Sequence, residues 1–269
     1  MNIITWNVNR FDGTLDWYNT NYDLEEEGRK FFAKKIYQKL ELCLEGEDDI
    51  AILQEFPYRE LKKDGDVIFE AFKNIFTDKF IVHTWYNNAE KNNVNKTVLN
   101  LTVAIAKNSS AWALNSLEDR IINYGKENNK YNYINRYVEL HNNRININLF
   151  GCHFNTKNEM WKGNENENIL KEFDILLGDF NISEEKTKKT ICDELRETHH
   201  SMINTDIVTQ NQCSTSIDKI YIKKDLNVLT NSTTVLDYIY FNEREKRYIR
   251  FSDHNLCMVS LATASLFTN

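Results

Sequence analysis

The chain has 269 residues and carries 33 Lys+Arg against 40 Asp+Glu, a formal charge of -7 at pH 7. One proline and eight glycines exclude collagen-like and Pro/Gly-rich disordered classes, and a content of 41% hydrophobic and 12% aromatic residues is enough to build a core. The acidic balance argues against tight, metal-free, sequence-independent coating of nucleic acid, but not against a local basic strip or a metal ion that meets phosphate.

In chain order, residues 2–8 (NIITWNV) read as a strand. Residues 28–45 place Phe32, Ile36, Leu40 and Leu44 every fourth position, which predicts a helix with one apolar face. DIAILQE at 49–55 is a short apolar strand. Residues 66–77 return to helical spacing through Ile68, Phe72, Ile75 and Phe76. Strands are predicted at 79–86, 98–106, 132–140 and 144–153, the last two flanking HNNR (141–144) as a hairpin turn. Residues 86–97 and 125–131 are Asn/Lys-rich and read as loops. DILLGDF at 174–180 is a further apolar strand. Residues 183–198 predict a helix capped by Ser183, followed by strands at 216–222, 234–241 and 255–262. Many strands with a few helices, and no Ser/Gly/Pro linker, imply one mixed α/β layered domain over 1–269 with sheets of mixed direction.

No segment reaches the ~18 consecutive apolar residues of a membrane span, and the opening MNIITWNVNRF lacks the pattern of a signal peptide. The five cysteines are scattered without a CxxC, so zinc and thioredoxin-like readings fail. A reducing cytoplasm is the expected compartment.

Polar residues gather at the ends of the apolar strands. Asn7 and Asn9 end the first, Gln54 and Glu55 the second, His153 and Asn155 the hairpin strand, Asp179 and Asn181 the strand LLGDFN. Asp218 lies in STSIDKIYI, and Asp253 and His254 precede the final strand. A single strand-end Asp or Asn is more often a turn former or cap. Six such places in one chain point to an active site on a rigid platform.

The motifs TWNVN (5–9), LQE (53–55), GCHFN (151–155), GDFN (178–181), SIDKI (216–220) and SDH (252–254) resemble, in order and over nearly the whole chain, those of the endonuclease/exonuclease/phosphatase superfamily, the deoxyribonuclease I-like fold. The resemblance implies an α+β, four-layer α-β-β-α sandwich with two packed mixed sheets and the site at one edge. It also implies a divalent-metal-dependent phosphodiesterase, with Glu55, Asp253 and Asn7 as ligands of Mg2+ or Mn2+, which suits hard oxygen donors. Asp218 and His254 are expected to pair. Either that pair or Asp179 serves as base, Asn181 orients water or contacts phosphate, and His153 donates to the phosphate or acts as general acid. Arg136 reads evenly as a phosphate contact or a surface strand residue, and Asn7 is a further phosphate contact.

Substrate choice comes from loops, so a DNA or RNA substrate leads and a small phosphoester (inositol phosphate, sphingomyelin or nucleotide) is the alternative. A catalytically inactive binding module is the third reading, disfavoured because every motif residue is present. The exonuclease III-like abasic-site branch is disfavoured by His153, where that branch has tyrosine, and by residues 197–216, which contain neither Trp nor Arg, whereas that branch carries both before the Asp218-type motif. Trp85, Tyr86 and Trp161 read mainly as core, and Arg10, Lys157 and Lys162 mainly as solvated cations. Asp193 is expected near the site.

Overall fold

Neighbouring residues of β1 (Asn2–Asn7) bury into different cores: Ile3 into one apolar cluster, Ile4 and Trp6 into another. A strand covered on both faces has no solvated side, so it reads as a continuous apolar run and not as an alternation. The same holds for β3 (Ile50–Pro57), where Ile50 and Ile52 face one way and Ala51 and Leu53 the other. The computed structural model describes residues 1–15, 26–58, 67–84, 100–115, 136–154, 164–182, 190–203, 209–210, 216–226 and 228–263.

The further strands are β2 (Thr14–Leu15), β4 (Phe80–His83), β5 (Asn100–Lys107), β6 (Trp112–Leu114), β7 (Tyr137–Asn142), β8 (Ile147–His153), β9 (Ile175–Asp179), β10 (His199–Ser201), β11 (Asp218–Lys223), β12 (Val228–Leu236), β13 (Ile239–Asn242), β14 (Arg247–Arg250) and β15 (Leu256–Thr263). One six-stranded sheet has the order β12-β15-β1-β3-β5-β4, and a second has β10-β11-β9-β8-β7-β6. A small sheet, β13-β14-β2, stands beside them. Only β1–β3 and β8–β9 are parallel among the described pairs. Both sheets are therefore mixed, and each parallel pair lies at its sheet's centre.

Helices α1 (Glu26–Cys43) and α2 (Val67–Phe76) cover the first sheet with Phe32, Ile36, Leu40, Phe72 and Phe76. Helices α3 (Asn164–Lys171) and α4 (Ile191–Thr198) bring Leu170, Ile191 and Leu195 to the second. The result is the α-β-β-α sandwich. The sheets approach closely at Gly151, where an added Cβ would lie 2.7 Å from Cγ2 of Ile52.

Several boundaries differ from the sequence expectation. The hairpin turn is 143–146, not 141–144, because Asn142 stays in β7 and its Oδ1 accepts the N–H groups of Arg144 (2.9 Å) and Ile145 (3.2 Å). Helix α4 starts after Thr190. The Asp193 carboxylate accepts the Thr190 N–H at 2.7 Å, so Asp193 serves as the third residue of a capping box whose cap is Thr190. Ser183 lies outside the described residues, as do the expected loops at 86–97 and 125–131. The single strand expected at 234–241 is two. The chain leaves the first sheet after Leu236 and enters the small sheet at Ile239, with Asp237 held by Arg250 at 2.8 Å. Strands β2, β6, β10 and β14 and helix α3 were not expected from periodicity.

Gly178 controls the junction between β8 and β9. Its φ is +150°, and a Cβ there would lie 1.9 Å from the carbonyl oxygen of Cys152. That contact cannot be relieved, because the obstacle is the paired backbone itself. Gly178→Ala should therefore lower unfolding stability by about 3 kcal/mol or more. A chemical-denaturation midpoint close to that of the parent protein would show that the backbone can move aside.

Candidate active site

The carboxyl ends of β1, β3, β8 and β9 meet the start of β11 and the residues before β15 at one end of the sandwich. Register explains the convergence. Asn7 pairs with Gln54, His153 with Asp179, and Asp179 with Asp218. Period-two alternation turns His153, Asp179 and Asp218 toward the space between the sheets.

Asp179 is 1% exposed. Its Oδ1 accepts the Asn181 N–H at 2.8 Å, and its Oδ2 accepts Asn7 Nδ2 at 3.1 Å. Burial raises its pKa to about 7, aided by Asp218 and opposed by His254 and the Asn7 hydrogen bond. Asn181 has φ +50°, and its side-chain amide donates to the Phe154 carbonyl at 2.7 Å. That bond spans from β9's end back to β8's end.

Asp218 and His254 form the second buried unit. Their Oδ2 and Nδ1 atoms are 2.8 Å apart, and both side chains are buried. Burial alone would lower the imidazole's pKa. Asp218, Asp179 and Asp253 outweigh it and push His254 up to about 10, so it is a cation at neutral pH. Its Nε2 faces Asp179 Oδ2 at 3.8 Å. Ligand atoms of Asp179, Asp218 and His254 lie within 4.8 Å of one another, close enough to hold a cation. The Nδ1 of His254 is already spent on Asp218, however, and a protonated imidazole is not a ligand.

His153 is different. Burial, then Arg136 and His254, hold it well below the usual imidazole range, so it is neutral. Arg136 Nη1 is 2.9 Å from Nδ1 and 3.4 Å from Nε2. A guanidinium only donates, so Nδ1 is the acceptor and the ring proton sits on Nε2. That N–H faces Glu55 Oε1 at 3.8 Å and Asp179 Oδ2 at 3.7 Å, both too long for a direct hydrogen bond.

Glu55 adopts φ +55°, and the β3–β5 register shifts between Leu53 and Phe56. This bulge turns Glu55 away from the ladder and leaves its side chain a quarter exposed. Asn7 presents its amide nitrogen to Glu55 (3.4 Å) as well as Asp179, while its oxygen accepts the Asn9 N–H at 3.0 Å. It is thus a donor to both carboxylates. Asp253 accepts the Ser252 hydroxyl at 3.3 Å. Four carboxylates (Glu55, Asp179, Asp218 and Asp253) gather here with Arg136 and the His254 cation. Such an oxygen-rich, electronegative end fits a hard divalent cation.

Supporting residues were not singled out from the sequence. The Ser252 hydroxyl donates to the Asn7 carbonyl at 2.6 Å, and the Trp6 indole N–H to the His254 carbonyl at 3.0 Å. Thr209 Oγ1 accepts the Ile217 and Asp218 N–H groups, each at 3.0 Å. Ser252 and Trp6 were visible inside the SDH and TWNVN motifs. Thr209 carries no sequence signal. Arg10 is paired with Asp12 at 3.0 Å. Trp85, Tyr86, Asn155, Lys157, Trp161 and Lys162 lie outside the described residues.

No protein-family profile matches the chain, and no curated protein matches its sequence. Solved structures do. TDP2 from D. rerio, complexed with a single-strand DNA product, is 14% identical over 98% of this chain and 99% of that one, with a TM-score of 0.59. A mannosyl-6-phosphatase from Bacteroides thetaiotaomicron is 12% identical over 97% and 99%, with a TM-score of 0.56. An endonuclease/exonuclease/phosphatase family protein from that organism is 12% identical over 97% of each chain, at 0.57. The chain has the fold of the endonuclease/exonuclease/phosphatase proteins. At these identities the likeness is one of fold.

The Asp218–His254 pair makes a titration prediction for the metal-free protein. The His254 ring should stay doubly protonated through neutral pH and lose a proton near pH 10, seen as ring 15N shifts by NMR. The raised pKa adds stability that is full below the unfolded value of 6.5 and is lost as pH rises through about 10. In Asp218→Asn the burial penalty should dominate and carry the titration down toward or below 6.5. Titration near 6.5 in the parent protein would contradict the pair.

Proposed function

We propose that this chain is a divalent-metal-dependent phosphodiesterase acting on DNA or RNA. The observation that supports it most is the convergence of six strand-end motifs on one set of four carboxylates, three of them buried, with two imidazoles of opposite character and an arginine. A fold match alone would not supply that chemistry.

Glu55 and Asp253 are the residues that would hold Mg2+ or Mn2+, with Asn7 bracing Glu55. The cation would neutralise a non-bridging phosphate oxygen and stabilise the leaving oxygen. The protein's own groups do the rest. His153 donates its Nε2–H to a phosphate oxygen, and Arg136 both fixes that tautomer and adds positive charge. A neutral imidazole suits hydrogen-bond donation better than general acid work. His254, held protonated by Asp218, sets a second positive charge beside Asp179. Asp179, raised to about 7 by burial, matches the ideal for a general base near neutrality and takes the proton of an attacking water. Asn181 holds that carboxylate in place through its backbone N–H. His254 is the weaker candidate for base, because a cation has no lone pair to offer.

The alternative is a phosphatase or phospholipase-type hydrolase of small phosphoesters on the same fold. The net charge of -7 and the mannosyl-6-phosphatase among the structural neighbours favour it. The free thiols among the described residues, Cys43, Cys152, Cys192 and Cys257, suit a reducing cytoplasm.

A magnesium-dependent panel of plasmid DNA, single strands, RNA, inositol phosphates and a generic bis-phosphodiester tests the substrate. Turnover of only the small esters replaces the nuclease reading with the alternative, and turnover of none leaves the binding-module reading. Exhaustive chelation should abolish hydrolysis, and magnesium should restore it. Activity in metal-free protein would remove the metal from the mechanism. Asp179→Asn and His254→Ala should each lower turnover by about 10²–10⁴-fold with the circular dichroism spectrum unchanged. A near-normal rate in either variant would remove that residue from the chemistry.

A further inference from the structure

The small sheet carries an aromatic face that is exposed among the described residues. In the β13–β14 hairpin, Ile239 pairs with Arg250, Tyr240 with Ile249 and Phe241 with Tyr248. Alternation separates these into two faces. Ile249 is buried and Tyr240 packs on the core beneath α1 and the first sheet. The opposite face presents Ile239, 45% exposed, and Tyr248, 54% exposed. Phe241 and Tyr248 stand there with ring centroids 4.9 Å apart.

The base of this hairpin adjoins the candidate site. Arg250 pairs with Thr14, and Asn9 Nδ2 reaches the Thr14 hydroxyl at 3.5 Å, so the hairpin is tied to the segment that leaves Asn7. Three residues beyond Arg250 lies Asp253. The hairpin also departs from the chain's overall charge. Residues 237–250 contain Arg244, Lys246, Arg247 and Arg250 against Asp237, Glu243 and Glu245, in a chain of net charge -7, and Lys246, Arg247 and Arg250 are ion-paired with Glu243, Glu245 and Asp237. Among the described residues Arg244 has no ion-pair partner.

We infer that this face is a stacking platform that leads single-stranded nucleic acid into the active site, with Tyr248 taking a base and Arg244 a backbone phosphate. The inference rests on the nucleic-acid reading above and assigns it a strand type and a path. Exposed rings beside cations at a catalytic rim are the combination that holds single strands without sequence preference, through ring–base stacking and phosphate attraction. A lipid surface fits less well. The hairpin tip, residues 243–246, reads Glu-Arg-Glu-Lys, and a fully charged tip cannot enter hydrocarbon. The rings lie in the body of the sheet instead.

The test measures binding of fluorescently labelled dT15 by anisotropy in the presence of chelator, which prevents turnover. Tyr248→Ala should weaken binding about tenfold, and Tyr248→Trp should restore it. Arg244→Ala should weaken binding and flatten its salt dependence. Thermal midpoints of all three variants should stay near the parent's, because these side chains are exposed. Unchanged affinity in Tyr248→Ala would overturn the platform while leaving the nuclease reading intact. Failure of the parent protein to bind dT15 would overturn the platform, and hydrolysis of bis-p-nitrophenyl phosphate with no cleavage of any DNA or RNA would overturn both. Tyr248-dependent binding to phosphatidylserine vesicles in place of dT15, or Tyr248-dependent self-association in sedimentation, would assign the face to a membrane or a second copy and also overturn the proposal.

Discussion

Asp179 is a carboxylate placed between two apolar sheets, and the rest of the active end is arranged around that burial. An isolated charge there would be strongly disfavoured. Three donors surround it: the Asn181 N–H, the Asn7 amide and, at longer range, the His254 cation. Each of these needs its own support. Asn181 is tied to Phe154, Asn7 receives Ser252 on its carbonyl, and His254 is held by Asp218 and by the Trp6 indole on its carbonyl. One buried charge thus links five strands into a connected polar network. Its one incomplete member is Asp218, whose Oδ1 is buried with no hydrogen-bond partner among the described residues, and a polar network rigidifies a site fully only when every member is satisfied.

Backbone strain marks the same region. Seven non-glycine residues among those described have positive φ. Asn146 and Lys246 close hairpin turns, where that conformation is ordinary. Asn9, Arg10, Phe11, Glu55 and Asn181 all flank the active end. The run of three after β1 is held by buried Arg29, which donates to the Arg10 carbonyl at 3.0 Å and pairs with Asp12 at 3.2 Å. Side chains in this region cost about 1–3 kcal/mol each, and persist where surrounding contacts over-determine them. Here the supporting contacts come from α1, so a helix on the far face of the first sheet helps set the direction of the candidate site's edge.

The two histidines show how environment divides one residue type into two roles. His254 touches a buried carboxylate and is held charged, while His153 touches a guanidinium and is held neutral. Both sit at strand ends within reach of Asp179. The acidic composition, which speaks against a general polyanion-binding surface, is compatible with local phosphate recognition. The carboxylates at this end suit a cation, and among the described residues Arg136 and the His254 cation set positive charge beside them.

The sequence by itself determined the layered mixed fold and the candidate residues. Helical spacing in α1 and α2, and apolar runs in β1, β3 and β9, are local consequences of burying one helix face or both strand faces. The ordered strand-end motifs were legible because polar residues interrupting such runs are conspicuous. Short strands such as β2, β6 and β14 left no comparable periodic signal, since two to four residues cannot show a period. The start of α4 went to Thr190 and not Ser183 because Asp193 folds back on the cap. Only the tertiary structure decided which nitrogen of His153 carries the proton, that Asn7 turns its amide nitrogen to the carboxylates, and that Thr209 supports Asp218. Those features depend on groups far apart in the chain, brought to hydrogen-bonding distance by sheet register, and no local pattern in a sequence records a distance of that kind.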